Sequence, residues 1–160
     1  VGESVVRRPG VMLGYWKKPE ETAEALRDGW MHTGDAGYMD SDGFVFVADR
    51  IKDMIVTGGE NVYSVEVEHA VARHPSVQQC AVIAIPDDKW GELVHAHVVC
   101  RPGMSLTLAE LQAHCKSTIA NYKIPRSLEL AQSLPMSGAG KILKNKLREP
   151  FWAERDRRVG

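Results

Sequence analysis

Residues 77–100, VQQCAVIAIPDDKWGELVHAHVVC, contain two β-rich runs separated by turn residues. The runs cover residues 77–85 and 95–100, and both are dominated by apolar and β-branched side chains. Between them, Pro86-Asp87-Asp88 and Gly91 are residues that favour turns. The stretch therefore predicts two sheet strands.

An amphipathic helix is predicted before these strands. Val67, Ala70 and Val71 recur at helical spacing in a segment that begins near Ser64. Glu66 and Glu68 fall in its first turn, where carboxylates favour the positive end of the helix dipole. The helix should end near His74-Pro75, because the residue before a proline disfavours helical torsions.

A second helix is predicted after the strands. Thr107-x-x-Glu110 has the pattern of a capping box, and Leu108, Leu111, Cys115 and Ile119 follow near one face. Residues 122–125 should close this helix, and residues 127–130 form a weaker strand. The order of elements predicts a small α+β domain with helices packed on a sheet, over about residues 52–149.

The first 51 residues predict a different kind of structure. Val5-Val6 is strand-like, residues 20–26 form a short helix, and residues 37–47 form a β-hairpin around the turn at 40–43. At the other end, the charged run at residues 154–158 is expected to be a solvated helix end or disorder.

Composition excludes several classes of protein. Twenty basic and 21 acidic side chains give a net charge of −1 without long runs of either sign, which argues against nucleic acid as a partner. No run approaches the roughly 20 apolar residues of a transmembrane helix, so we expect a cytoplasmic protein. Cys80, Cys100 and Cys115 form no C-x-x-C pattern and are expected to be buried reduced thiols, and we expect no metal site.

Two charged segments each allow a structural and a functional interpretation. Thr33-Gly34-Asp35 is typical of a turn, but a carboxylate can also accept hydrogen bonds from both hydroxyls of a ribose. Residues 49–53, DRIKD, are typical of a solvated linker, and such a linker also suits a hinge.

Two glycine-containing segments also allow both a structural and a functional interpretation. Gly58-Gly59-Glu60-Asn61 can be a simple turn, or it can let the backbone lie against a narrow substrate chain. Residues 135–144 predict a flexible loop that presents Lys141. This loop is not a phosphate-binding P-loop, because Ile142 replaces the required Ser or Thr. Lys141 is then either a surface charge or a cation brought to an anionic reaction centre.

Taken together, these segments resemble the adenylate-forming family of acyl-CoA synthetases, luciferases and peptide-synthetase adenylation domains. The resemblance covers about residues 1–148 and is closest to the medium- and long-chain fatty acyl branch, although aryl-CoA ligases share much of it. The motifs appear in family order: Gly14-Tyr15-Trp16, Gly29-Trp30-x-x-Thr33-Gly34-Asp35, Asp49-Arg50-x-Lys52-Asp53-x-Ile55, Gly58-Gly59-Glu60-Asn61-Val62-Tyr63, Asp87-x-x-Trp90-Gly91-Glu92, Tyr122-Lys123-x-Pro125 and Gly140-Lys141-Ile142-x-Lys144. One position departs from the family, because Ala139 stands where relatives often have Thr or Ser.

The resemblance implies a role for each site residue. Asp35 would hold the ribose hydroxyls of ATP and acyl-AMP, Arg50 would contact the nucleotide, and Lys52 would be the hinge. Lys141 would be the adenylation lysine. After adenylation, the Gly58-Gly59 loop would replace it at the site, with Gly59 lining the pantetheine tunnel. The remaining CoA-binding candidates are Glu60, Trp90, Tyr122 and Arg126, of which Tyr122 can equally be a packing residue.

The resemblance also implies a domain organisation and a reaction. Residues 1–51 would be the C-terminal end of a large N-terminal AMP-binding domain, and residues 52–160 the mobile C-terminal domain. The parent enzyme would join a fatty or other carboxylic acid to CoA through acyl-AMP, using ATP with Mg²⁺. No bound cofactor is expected in this chain. Without the large domain, which carries the phosphate loop and the acyl and adenine pockets, the isolated chain should be inactive.

Two alternatives to this interpretation stay open. One is an adenylation domain that delivers its acyl group to a carrier protein. The other is a stand-alone, non-catalytic binding or regulatory module. The open reading frame upstream of residue 1 would distinguish the module from the synthetase.

Overall fold

A computed structural model describes residues 1–153, and the chain divides into two compact units. The first unit is Val1–Lys52, and the second begins at Asp53. This division lies one residue after the boundary predicted between residues 51 and 52. The charged run at residues 154–158 lies outside the described residues.

The first unit contains a three-stranded antiparallel sheet of order β1-β2-β3. The helix α1 and a single 3₁₀ turn, Arg27–Gly29, connect β1 to β2. The bounds are β1 Gly2–Val6, α1 Pro19–Ala25, β2 Met31–Met39 and β3 Val45–Arg50. The predicted hairpin is confirmed, and Asp40 Oδ1 fixes its turn by accepting hydrogen bonds from the backbone N–H groups of Asp42 and Phe44.

The start of β2 differs from the prediction. A turn was one of two interpretations of Thr33-Gly34-Asp35, but these residues lie inside β2. The pairing of β1 with β2 is irregular between Glu3 and Val5, opposite this segment, and Gly34 has φ 71°. The glycine therefore allows a bulge within a strand, where other residues would be strained.

The second unit contains a five-stranded sheet in which β5, β4, β7 and β6 follow one another and β8 pairs in parallel with β7. The predicted strands and helices are present, and the α+β class is confirmed. The strands are β4 Ile55–Thr57, β5 Glu60–Val62, β6 Val77–Asp87, β7 Gly91–Cys100 and β8 Ser127–Leu130. The helices are α2 Ser64–Ala72, α3 Leu108–Cys115 and α4 Lys144–Trp152.

The two faces of the sheet carry different side chains. Val94, Ala96 and Val98 of β7 belong to the main core, together with buried residues of α2 and α3. His95 and His97 alternate with them and contact Phe151 of α4. Strand alternation thus assigns α2 and α3 to an apolar face and α4 to a face that contains buried histidines.

Two helices depart from the prediction. The helix α3 ends at Cys115 rather than near Tyr122, and residues 121–123 form a separate 3₁₀ turn. The helix α4 was not predicted, because its sequence, KNKLREPFW, is mostly polar and contains Pro150. The indole Nε1 of Trp152 donates a 3.0 Å hydrogen bond to the carbonyl of Ala84 in β6, and this bond attaches the end of α4 to the sheet.

All three cysteines are free thiols, as expected, although only Cys115 is fully buried. Within residues 1–153, no helix has the length and apolar character that crossing a bilayer requires.

The capping box of α3 gives a test of the fold. Thr107 Oγ1 accepts a hydrogen bond from the Glu110 backbone N–H, and the Glu110 carboxylate accepts one from the Thr107 backbone N–H. We expect Thr107→Ala to lower the free energy of unfolding by about 1 kcal/mol, because a helical N–H loses its partner. Thr107→Ser, which keeps the hydroxyl, is the control. Chemical denaturation measures both, and equal loss in both variants would contradict a capping role.

Candidate functional site

In the first unit, Asp35 and Arg50 form an ion pair across the β2–β3 ladder. They are register partners, and Arg50 Nε lies 2.7 Å from Asp35 Oδ1. The Asp35 side chain is 27% exposed and that of Arg50 is 54% exposed. The two predicted nucleotide-binding residues are therefore adjacent, and both can be reached by a ligand. A carboxylate held in this way can still accept hydrogen bonds from hydroxyl groups.

Glu3 supports this pair from the neighbouring strand, and the sequence analysis did not identify it. Its carboxylate accepts a hydrogen bond from the Gly34 backbone N–H and lies 2.7 Å from His32 Nδ1. The hydrogen bond with His32 is the largest cause that lowers the pKa of Glu3, and Arg27 also contributes. Glu3 thus fixes the bulge immediately before Asp35. Its position beside His32 and Arg27 is visible only after β1 pairs with β2.

The interpretation of residues 49–53 as a solvated linker is wrong for the two aspartates. Asp49 is 6% exposed, and its carboxylate accepts a hydrogen bond from the Arg50 backbone N–H. Asp53 lies 2.7 Å from the Arg148 guanidinium, with both side chains largely buried. Lys52 is exposed and lies in the 3₁₀ turn Ile51–Asp53, where the two units divide.

The glycine pair forms the tight turn of the β4–β5 hairpin. Gly58 and Gly59 have φ values of 60° and 86°, which is the left-handed pattern of a two-residue type I′ turn. The two positions differ in their surroundings. A Cβ atom on Gly58 would lie 2.7 Å from Cε3 of the Trp90 ring, whereas a Cβ on Gly59 would have open space. Gly58 therefore allows close packing, and Gly59 leaves room for a ligand.

Trp90 is the centre of a small cationic surface. The Arg126 guanidinium lies 4.3 Å from the centroid of the indole, and the Lys89 ammonium lies 5.1 Å from it. The Trp90 backbone N–H donates a 2.8 Å hydrogen bond to Asp87, and the Trp90 carbonyl accepts one from the Gly58 N–H. Gly58, Trp90 and Arg126 are thus brought together. A flat ring beside two cations suits an anionic, aromatic ligand.

The other two CoA-binding candidates, Tyr122 and Glu60, lie on the surface. Tyr122 is 36% exposed and contacts its neighbour Lys123, which forms an ion pair with Glu66 at 2.7 Å. Glu60 is exposed at the start of β5. Glu92 has a structural role that its sequence motif did not indicate. It is 5% exposed, and its carboxylate accepts a hydrogen bond from the Val56 backbone N–H.

Lys141 is exposed at the end of a short antiparallel hairpin, where the sequence predicted a flexible loop. Met136 and Ile142 form a β-bridge, and the Ser137 N–H donates a 2.8 Å hydrogen bond to the Lys141 carbonyl. Gly140, with φ 74°, makes the turn before the lysine. The backbone around Lys141 is therefore defined by hydrogen bonds, and its side chain extends into solvent.

Lys144 anchors this hairpin to the core of the second unit. Its ammonium lies 2.7 Å from Glu68 Oε1 and donates a 2.7 Å hydrogen bond to Ser64 Oγ. Glu68 also accepts a hydrogen bond from the Val82 backbone N–H. From its position in the sequence, Glu68 was expected only to interact with the helix dipole. Because the Lys144 side chain is 14% exposed, this pair fixes α4 and the preceding hairpin against α2 and β6.

Comparisons with known proteins identify a matching family. Residues 66–141 match the family described as the AMP-binding enzyme C-terminal domain. The chain belongs to the adenylate-forming, AMP-binding enzymes, and it corresponds to their C-terminal part.

Individual relatives are similar over nearly all of the chain. A long-chain-fatty-acid–CoA ligase of Bacillus subtilis is 49% identical over 92% of the chain, and a fatty acid–[acyl-carrier-protein] ligase of Streptomyces coeruleorubidus is 46% identical over 99%. The ATP-bound structure of MatB from Rhodopseudomonas palustris matches 94% of the chain with a TM-score of 0.85 and 37% identity. The chain spans 26% and 31% of the two ligases and 30% of the MatB chain.

The difference between the two glycines can be tested with matched variants. We expect Gly58→Ala to displace the Trp90 ring, because the new methyl group collides with it, and Gly59→Ala to leave the ring in place. The positive φ strains alanine at both positions, so Gly59→Ala controls for backbone strain. The indole N–H signal of Trp90 in a ¹H–¹⁵N NMR spectrum, assigned with Trp90→Phe, reports the displacement. Equal shifts in both variants would contradict the packing role of Gly58.

Proposed function

We propose that this chain is the part of an ATP-dependent acid–CoA ligase that supplies the adenylation lysine and the thioester-transfer loop. The parent enzyme forms acyl-CoA through an acyl-AMP intermediate and releases AMP and pyrophosphate. The observation that carries this proposal is Lys141, an exposed ammonium at the end of a hydrogen-bonded hairpin whose base is fixed by the largely buried Lys144–Glu68 pair.

In the first half-reaction, a carboxylate oxygen of the acid attacks the α-phosphorus of ATP. A new C–O–P linkage forms as the bond to pyrophosphate breaks, and negative charge accumulates around the phosphorus. The compact, strongly hydrated ammonium of Lys141 offsets this charge. Asp35 would accept hydrogen bonds from the ribose hydroxyls, while Arg50 holds its carboxylate in place. Mg²⁺ would arrive with ATP as a substrate complex, and we assign it no ligand in this chain.

In the second half-reaction, the CoA thiol attacks the acyl carbonyl carbon and AMP leaves. A pantetheine arm is narrow, and the open space above Gly59 suits it. The surface of Trp90, Lys89 and Arg126 would take the anionic nucleotide of CoA. Glu60 and Tyr122 are also candidates for CoA binding, but no contact among the described residues orients either side chain toward a nucleotide.

The two half-reactions need different groups, and we propose that a rotation near Lys52 exchanges them. The backbone at Lys52 lies where the two compact units divide. Hinge motions are absorbed by a few residues at the ends of elements, and Lys52 meets this description. Residues 1–51 would then move with the large domain, and residues 52–160 would form the mobile domain.

The proposed partner is a large N-terminal AMP-binding domain. The first unit exposes a group of large apolar side chains around its hairpin, which is more than a small sheet normally leaves in water. Tyr38 and Phe46 stack at 5.1 Å between ring centroids, and both are exposed. The group consists of Tyr38, Met39, Phe44, Val45, Phe46 and Val47. Burial against the large domain would remove this surface from water.

A fatty acid is the proposed acid, as in ligases named for medium- or long-chain fatty acids from Bacillus subtilis and Mycobacterium tuberculosis, which are 49% and 46% identical to the chain. An aryl acid is the alternative, because a feruloyl-CoA synthase of Amycolatopsis is 50% identical. Delivery to a carrier protein is the second candidate, and the relative named as an acyl-carrier-protein ligase favours it. An assay with CoA and a carrier protein as competing acceptors distinguishes them. A stand-alone module would instead have no adenylation domain encoded upstream.

Lys141 provides the test of the proposed function. In the full-length protein, we expect Lys141→Ala to slow acyl-AMP formation about a hundredfold, the equivalent of about 3 kcal/mol, because an electrostatic contact to the transition state is lost. Thioester formation from supplied acyl-AMP should be largely unchanged. ATP–pyrophosphate exchange and single-turnover thioester formation measure the two steps.

Lys146→Ala is the matched control, because Lys146 is an exposed lysine on α4 that pairs with its neighbour Glu149. Equal loss of both half-reactions in Lys141→Ala would refute the division of roles. The isolated chain should show no exchange, since it cannot hold the acid and ATP together. Robust exchange by the isolated chain would overturn the proposal that a large domain is required.

The hinge predicts the opposite pattern. We expect Lys52→Pro to retain acyl-AMP formation and to slow CoA transfer, because proline fixes φ near −65° and restricts the rotation. Lys52→Ala removes the ammonium but leaves the backbone torsions free, so it should retain both steps. Stopped-flow measurement of acyl-AMP consumption compares the two variants. Normal transfer in Lys52→Pro would place the hinge elsewhere.

A further inference from the structure

The histidine-containing face of β7 holds polar groups that the proposed ligase chemistry does not use. In the parallel β7–β8 ladder, His95 pairs with Ser127 and His97 pairs with Glu129. Residues two apart on a strand share a face, so in-register pairing places both imidazoles, the hydroxyl and the carboxylate side by side. The His95 and His97 ring centroids are 4.6 Å apart.

Both imidazoles are buried with one nitrogen unsatisfied. His95 and His97 are each 3% exposed, and neither Nε2 atom has a hydrogen-bond partner among the described residues. Buried polar atoms without partners are uncommon in proteins and require an explanation, such as an ion or a water molecule. Two incompletely satisfied imidazoles on one strand face, with the Glu129 carboxylate 3.9 Å from His97 Nδ1, point to an ion.

We propose that His95, His97 and Glu129 bind a divalent transition-metal ion, with Zn²⁺ as the best match to two imidazoles and one carboxylate. One ligand atom from each residue lies within 4.8 Å of the others. Tetrahedral Zn²⁺ ligands lie about 3.4 Å apart at bond lengths of about 2.1 Å. The Glu129 side chain, which is 55% exposed and 3.9 Å from His97 Nδ1, has room to rotate closer.

The surroundings of these residues suit a metal site. Ser127 Oγ lies 2.6 Å from His95 Nδ1, and such a contact to the second nitrogen orients an imidazole so that the first can bind the ion. Phe151, with its ring centroid 5.0 Å from that of His95, forms an apolar wall. Exposed Glu129 supplies the entry path, and water can complete the coordination. The cysteine pattern predicted no metal site, and the two histidines and Glu129 come together only when β7 pairs with β8.

The test uses the untagged 160-residue chain, with Zn²⁺ and Co²⁺ as probes. We expect Zn²⁺ to bind with 1:1 stoichiometry in titration calorimetry and to raise the melting temperature in a concentration-dependent manner. Bound Co²⁺ should show visible d–d bands without a thiolate charge-transfer band. Glu129→Gln should weaken Zn²⁺ binding at least about tenfold, since it removes a charged ligand on an exposed side chain. His97→Ala should abolish binding.

His69→Ala is the matched control, because His69 is an exposed histidine on α2. It should bind Zn²⁺ as the unchanged chain does. The proposal is overturned if Zn²⁺ produces neither heat nor a change in melting temperature. It is also overturned if binding survives in both Glu129→Gln and His97→Ala, or if the Co²⁺ spectrum shows thiolate ligation. None of these outcomes depends on ligase activity, so the test is separate from that of the proposed function.

Discussion

The largely buried ion pair between Lys144 and Glu68 is the interaction on which the geometry of the second unit depends. An ammonium removed from water is unfavourable unless it is both paired and hydrogen-bonded. Lys144 meets both conditions through Glu68 and Ser64, and Glu68 also accepts the Val82 N–H. One point therefore connects α2, β6 and α4. Lys141 lies three residues before this anchor. Its backbone is therefore held close to the folded core, while its side chain is exposed.

Sequence periodicity predicted the parts of the fold whose burial is regular. The apolar positions of α2 and β7 and the capping box of α3 are local signals, and the structure contains these elements. The helix α4 lacks such a signal. Besides Lys144, its attachment includes single contacts with residues distant in sequence: Trp152 with Ala84, Arg148 with Asp53, and Phe151 with His95. Contacts of this kind appear only when strands have paired, so a sequence pattern of 3.6-residue period cannot reveal them.

In the candidate site, too, the sequence indicated the motif residues but not the long-range contacts that hold them. Motif order indicated Asp35, Arg50, Gly58, Trp90 and Lys141, and the structure pairs Asp35 with Arg50 and packs Gly58 against Trp90. The supporting contacts of Glu3, Glu68 and Glu92 could not be predicted, because neither the helix-dipole position of Glu68 nor the motif that contains Glu92 indicates a hydrogen-bond partner, and Glu3 lies in no motif. Each accepts a hydrogen bond from a backbone N–H on another element. Register and packing, which determine these contacts, are properties of the assembled sheet.

Ion pairs on either side of Lys52 limit the number of residues that the proposed hinge can include. On one side, Arg50 is held by Asp35 within the first unit, and Asp49 caps the Arg50 backbone. On the other side, the largely buried pair of Asp53 and Arg148 belongs to the second unit. A rotation that extended into either pair would separate opposite charges and, for Asp53, leave a buried carboxylate without its cation. The hinge that we propose is therefore confined to the torsions of residues 51 and 52, because changing them leaves both ion pairs and the local geometry of Asp35 and Lys141 intact.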